Sequence, residues 1–213
     1  MQVFWAAGYE GASIPTLTEA MGISAQSLYA AFNSKQALYR EAIEVYRTTI
    51  GGFAARALDE EPDAIEALTR LLQDAATTFS RTDGTPGCMI VFAPGETVEP
   101  ELTALGRRLR AESIEKVADR LSLGIREGQL DSDTDCVAWS RYIGTVVQGM
   151  SVQARDGATT QALLATAYIA AQSLSALRVR VVSSLAHRGT SQKTRTRSSP
   201  TRRRNSGNRR RPS

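Results

Sequence analysis

Residues Leu17 to Phe32 read LTEAMGISAQSLYAAF, and the reading of this stretch decides the fold. Leu17, Ala20 and Met21 sit at helical spacing and lead into Gly22, which can take the positive φ of a sharp turn because it has no Cβ to clash. Ser24 then offers a hydroxyl to cap a second helix. On that helix Ile23, Leu28 and Phe32 would hold it against its neighbours, and Ala25, Gln26, Ser27 and Tyr29 would point outward at its N-terminal end. This is the shape of a helix-turn-helix, whose second helix meets base edges and phosphates when it lies in a major groove. An ordinary hairpin inside an all-helical core has the same local pattern, so the outward residues carry the distinction.

Working outward, helical periodicity continues and no run alternates as a half-buried strand would. Leu38, Ala42, Val45, Tyr46 and Phe53 follow Ser34, an N-cap candidate. Ile65, Leu68, Leu71, Leu72, Ala75 and Phe79 follow Pro62, a residue suited to a first helical turn. Gly and Pro then interrupt the pattern from Asp83 to Pro94 (DGTPGCMIVFAP). Leu102, Leu105, Leu109, Ile114, Val117, Leu121 and Ile125 resume it, with a break expected near Gly106 and an end at Gly128. Trp139, Tyr142, Ile143, Val146, Val147 and Met150 make the next stripe, and Leu163, Leu164, Ala167, Ala171, Leu174 and Leu177 the last. The expectation is an all-α chain of roughly nine helices without internal repeats.

With 213 residues and 42% hydrophobic side chains the chain can bury a sizeable core. Its two cysteines, Cys88 and Cys136, cannot form a disulfide framework, and no apolar run reaches the roughly 18 residues of a membrane span. No leader-like pattern opens the chain, so a reduced, cytoplasmic setting is expected. The net charge of +4 is unevenly spread. Residues 183–213 hold one Lys and nine Arg with no acid, which leaves the preceding body with sixteen basic and twenty-two acidic groups, a net charge of minus six. Such a body cannot hold nucleic acid by bulk charge, so DNA contact requires a local, shaped patch. The tail, rich in Ser, Thr, Arg, Gly and Pro, should be disordered; its cations would follow phosphates, or it is an extension without a role.

Enzymatic chemistry finds no constellation. His187 is the only histidine and lies in the tail, so no nucleophilic triad has a geometry. Cys88, Cys136 and His187 lack metal-ligand spacing, and no phosphate-binding Gly fingerprint is present. Neither a catalytic site, a metal nor a cofactor is expected.

Residues 4–43, FWAAGYEGASIPTLTEAMGISAQSLYAAFNSKQALYREAI, resemble the tetracycline-repressor (TetR) family of transcriptional regulators. The likeness rests on the aromatic-xx-Gly-Tyr entry, the ASI step, the GIS turn, the SLYAAF recognition helix and the SKQAL start of the next helix. It implies an Ω-shaped homodimer with a helix-turn-helix DNA-binding domain, expected over 1–46, and a larger helical ligand-binding and dimerisation domain, expected over 47–182; composition alone sets off the tail 183–213. It places base contacts at Ala25, Gln26 and Ser27, the Tyr29 hydroxyl and Lys35 on phosphates, and Ser13 as an N-cap and phosphate donor. The family's first helix is fuller than the one here, in which Met1 falls only a few residues before Phe4. The implied function is a ligand-responsive repressor on a pseudo-palindromic double-stranded operator; the rival is a helical small-molecule-binding or scaffolding dimer that has lost DNA binding.

The segments around 137–155 and 160–181 are the expected dimer helices. Gly157 to Leu177 carries no charge and is apolar or small around most of its circumference, so it needs cover on two sides. Its Thr, Gln and Ser residues make it too polar to span a membrane, which leaves burial within one chain or against a twin subunit, with Gly144 and Gly149 allowing close approach. Phe79, Cys88, Met89, Phe92, Trp139, Tyr142, Gln148 and Met150 are candidates to surround a small-molecule effector, or are simply core. Cys88 is either a redox or electrophile sensor or a buried structural thiol.

Overall fold

A computed structural model describes residues 1–94 and 99–179. The Arg-rich segment 183–213 lies outside the described residues, so the expectation of disorder there stays a sequence reading. Nine α-helices are described: α1 (Gln2–Gly11), α2 (Ile14–Met21), α3 (Ala25–Phe32), α4 (Lys35–Thr48), α5 (Phe53–Glu60), α6 (Ala64–Phe79), α7 (Pro100–Arg126), α8 (Cys136–Arg155) and α9 (Thr160–Leu174). Short 3-10 turns occupy Ile50–Gly52 and Ser175–Leu177. Among the described residues no strand forms beyond one isolated bridge, Leu130 with Arg178, and no helix is long and apolar enough to cross a membrane.

The caps are those the side chains dictate. Ser13, Ser24 and Ser34 each accept a hydrogen bond from a backbone N–H three residues on, at 3.2, 3.1 and 3.0 Å. Gly22 ends α2 with φ 66°. Pro62 lies just before α6 and not in its first turn; Asp63 caps the helix, accepting from the Ile65 and Glu66 amides at 2.9 and 3.0 Å.

The long helices differ from the expectation in three places. Gly106 does not break α7: it is buried, and a Cβ there would lie 2.4 Å from the Ala93 Cβ, so its role is close approach of the 81–94 loop. Gly144 serves the interior in the same way, since its Cβ would meet Ile114 of α7 at 2.8 Å; Gly149 faces open space. The last helix stops at Leu174 short of the expected 160–181, because the chain turns to pair Arg178 with Leu130 and with the Asp63 carboxylate at 2.9 Å.

Two hydrophobic clusters result. One joins α1 to α4 around Phe4, Trp5, Tyr9, Leu28, Tyr39 and Tyr46 and takes in Met89, Leu102 and Leu109 from later in the chain. The other joins α5 to α9 around Leu68, Leu72, Phe79, Leu121, Ile143 and Leu163. Cys88 packs against both.

Candidate nucleic-acid interface and effector cavity

The helix-turn-helix is built by α2, the Gly22 turn and α3. Leu17 and Leu28 are buried between them, with Ile23 and Phe32 half-buried alongside, so the outer face of α3 is fixed by its inner one. Ala25, Gln26 and Ser27 are exposed at the N-terminal end of α3, where the first backbone N–H groups of any helix lack intrahelical partners. Ser27 shares a hydroxyl hydrogen bond with the cap Ser24 at 2.9 Å. Tyr29 is 46% exposed, one turn along. Ser13, exposed at the start of α2, bonds the Thr16 hydroxyl at 2.7 Å.

Lys35 is placed differently from the others. It opens α4 half-buried, with its ammonium 4.5 Å from the centroid of the Tyr9 ring. Burial pulls its pKa below the ordinary lysine value, against the pull of Glu99 and Glu10 in the other direction. Glu99, which precedes α7, also accepts from the Tyr9 hydroxyl at 3.0 Å and from the Gln36 amide. Burial and this carboxylate together push Tyr9 up to about 12, so its hydroxyl stays a donor.

The eight effector candidates do not form one group. Phe79, Cys88 and Gln148 line a partly open cavity of about 250 Å³ formed by α4, α5, α6, α7, α8 and the 81–94 loop. Met89 is buried in the first cluster and Met150 in the second. Phe92 lies under the Arg155 guanidinium, 4.5 Å from it. Trp139, packed partly buried against the second cluster, and Tyr142 meet edge to face 5.6 Å apart on α8, and the Tyr142 hydroxyl reaches Ser173 at 3.4 Å. Both lie outside the cavity lining.

Sequence reasoning missed several residues that shape this region. Tyr46, Phe53, Leu71, Leu109 and Ile114 complete the apolar wall of the cavity, and Arg47, Arg110, Glu112 and Lys116 stand among its polar lining. Arg155 is a second omission. From the end of α8 its guanidinium donates to the Pro86 carbonyl at 2.9 Å and to the Trp5 carbonyl of α1 at 2.7 Å. Trp5 in turn donates from Nε1 to the Gly87 carbonyl at 3.2 Å, and the Cys88 amide donates to Ser151 at 2.8 Å. The loop carrying Cys88 is thus tied to both halves of the molecule. No periodicity signals these links, because each joins residues more than sixty positions apart.

Comparison with known proteins agrees with this geometry. The family model described as bacterial regulatory proteins, tetR family, matches residues 1–42. A solved TetR family transcriptional regulator, a CifR cysteine mutant complexed with 26 bp double-strand operator DNA, is 38% identical, with a TM-score of 0.77 over 80% of this chain and 91% of that one. The chain belongs to the TetR family of transcriptional regulators. Among curated TetR-type relatives, the HTH-type transcriptional repressor ComR of Escherichia coli (strain K12) is 29% identical, covering 77% of this chain and 80% of that protein. The repressor BdcR of the same strain is 27% identical over 81% and 83%.

Proposed function

We propose that this TetR-family regulator is a homodimeric repressor that occupies a pseudo-palindromic operator and leaves it when an effector fills the cavity beside α4. The observation that carries the reading is the exposed N-terminal face of α3, set by the Gly22 turn and the Ser24 cap. Two such helices, one per subunit, would enter successive major grooves roughly 34–36 Å apart. Ala25, Gln26 and Ser27 would face base edges, and Ser13, Tyr29 and Lys35 phosphates, Lys35 by swinging out from Tyr9. Residues 1–46 would form the DNA-reading domain and 47–182 the effector and dimerisation domain. The effector acts only through its differential affinity for the DNA-fitting and non-fitting states.

Support for the dimer comes from the outer faces of α8 and α9. Tyr168 and Ile169 are 63% and 69% exposed, and Val137, Val152 and Leu164 are exposed as well. Large apolar side chains left in water on two adjacent helices mark a contact surface.

Gel retardation with the DNA upstream of the chain's own gene tests the reading. Binding should be specific and salt-sensitive. Gln26→Ala should relax preference at one base position by about 1–3 kcal/mol, whereas Tyr29→Phe and Lys35→Ala should weaken binding nearly uniformly across sequences. A dimer with no specific retardation would instead favour the effector-binding scaffold that has lost DNA.

A further inference from the structure

The cavity lining is largely apolar, and one buried residue in it, Tyr46, carries a hydroxyl. Only 1% of Tyr46 is exposed. Its hydroxyl is buried without a hydrogen-bond partner, which is costly for a group that gives up water on folding. The neighbouring Cys88 is a poor partner, since a thiol sulfur is a weak acceptor. Burial, then Cys88, drive the Tyr46 pKa far above the ordinary value against a smaller pull from the Met89 backbone N–H, itself a donor, so the hydroxyl keeps its proton and its own hydrogen remains to be given.

Charge elsewhere around the cavity is engaged to different degrees. Arg47 pairs with Glu44 at 3.1 Å and Glu112 at 3.6 Å. Arg110 donates to the Ile90 carbonyl at 2.9 Å. Lys116 is exposed to water. A carboxylate carried to the depth would lose its hydration, and beside Arg47 it would also meet Glu44 and Glu112.

We infer that the cavity takes a compact, neutral, largely apolar molecule bearing one hydrogen-bond acceptor, a carbonyl oxygen being the simplest, and that the Tyr46 hydroxyl donates to that acceptor. The inference rests on the cavity being the effector site proposed above. Tyr46 lies on α4, the helix after the recognition helix, and its ring meets Trp5 edge to face at 5.1 Å. A ligand held there touches the core of the DNA-binding half directly.

The test is calorimetric titration of the full chain without DNA, using acetophenone, ethylbenzene and benzoate. These share a ring and similar bulk but differ in the acceptor and the charge. Acetophenone should bind about tenfold more tightly than ethylbenzene, as one neutral hydrogen bond allows, and benzoate most weakly. Tyr46→Phe keeps the ring and deletes an unpartnered hydroxyl, so it should fold as well as the parent. In it the preference for acetophenone over ethylbenzene should fall to about one. An unchanged preference in Tyr46→Phe, tightest binding of benzoate, or no binding of any of the three at millimolar concentration overturns the inference. Operator retardation without added compound is scored separately, so failure of the ligand assignment and failure of the repressor reading are told apart.

Discussion

The core beneath the recognition helix is built around five rings, whereas the core of the long helices, apart from the Phe53–Phe79 pair, is built mainly of aliphatic side chains and alanine. Phe4, Trp5, Tyr9, Tyr39 and Tyr46 meet one another at centroid separations of 5.1 to 6.2 Å, mostly edge to face. Around α6, by contrast, Ala57, Ala64, Ala67, Ala75, Ala76, Ala154, Ala167 and Ala170 let helices approach closely. The difference follows from size. A bundle of four short helices has little interior, and aromatic side chains bury the most area per residue. Even so it is completed by Met89, Leu102 and Leu109, which come from the loop and from α7. The described chain accordingly packs as one compact unit, and the loop around Cys88 is where its two cores join.

The sharpest way to break this contrast is Trp5→Ala. It removes a buried ring, its edge contact with Tyr46 and its bond to the Gly87 carbonyl, and should cost about 3–5 kcal/mol. Leu72→Ala in the second core should cost about 2–5 kcal/mol. If the cores are coupled as packed, urea unfolding followed by circular dichroism shows one transition for both variants, shifted to lower urea. Two separate transitions in Trp5→Ala would make the first core an independent unit.

Arg155→Met addresses the junction itself. It keeps the aliphatic stem but leaves the Trp5 and Pro86 carbonyls without their charged donor, at about 2–3 kcal/mol. The loss should appear as faster hydrogen exchange in α1 and the 81–94 loop, with α6 unchanged. Uniform exchange across the chain would show that the link holds nothing local.

The cores also differ in what they leave outside. The first presents Gln26, Ser27 and other polar side chains, the second Tyr168 and Ile169. Ile169→Glu puts a charge on a face that is exposed in the single chain, so the subunit should fold normally. Dimer affinity should fall by about 2 kcal/mol, roughly thirtyfold, in sedimentation. A parent chain already monomeric at micromolar concentration would remove the contact from α8 and α9.

The helix-turn-helix was legible because its determinants are local: a glycine at a left-handed turn, serines at three caps, and Leu17 and Leu28 on the inner faces. What was not legible depends on which neighbour a face meets. Val45 belongs to the apolar stripe of α4 yet is 48% exposed, while Tyr46, beside it, joins both the first core and the cavity. Periodicity shows that a helix has an apolar face but not what lies opposite. Gly144 and Gly106 illustrate the same limit, since a small residue signals close approach without naming the partner. The scatter of the effector candidates has this cause too: Trp139 and Gln148 share α8, and only Gln148 turns toward the cavity.

The smallest expected effect tests whether the second core depends on charge at its rim. Asp63 caps α6 and also receives both terminal nitrogens of Arg178, at 2.9 and 3.1 Å. Partial burial alone would raise its pKa, but the Arg178 hydrogen bonds and charge, with the Glu66 and Ile65 amides, hold it below the ordinary value of 3.8. A carboxyl depressed in the folded state adds stability above its unfolded pKa, and that stability is lost as pH falls through the folded value. The chain should therefore lose this contribution below about pH 4, with no change from it between pH 5 and 8. Asp63→Asn keeps a side-chain oxygen for the cap but not the charge, so it should cost under about 1 kcal/mol near neutrality, because the pair is partly solvated. The cost should shrink as the parent is acidified, and added salt should reduce it. A cost equal at pH 3 and pH 7 would assign the role of Asp63 to capping alone and leave Arg178 without an electrostatic part in holding the turn after α9 against α6.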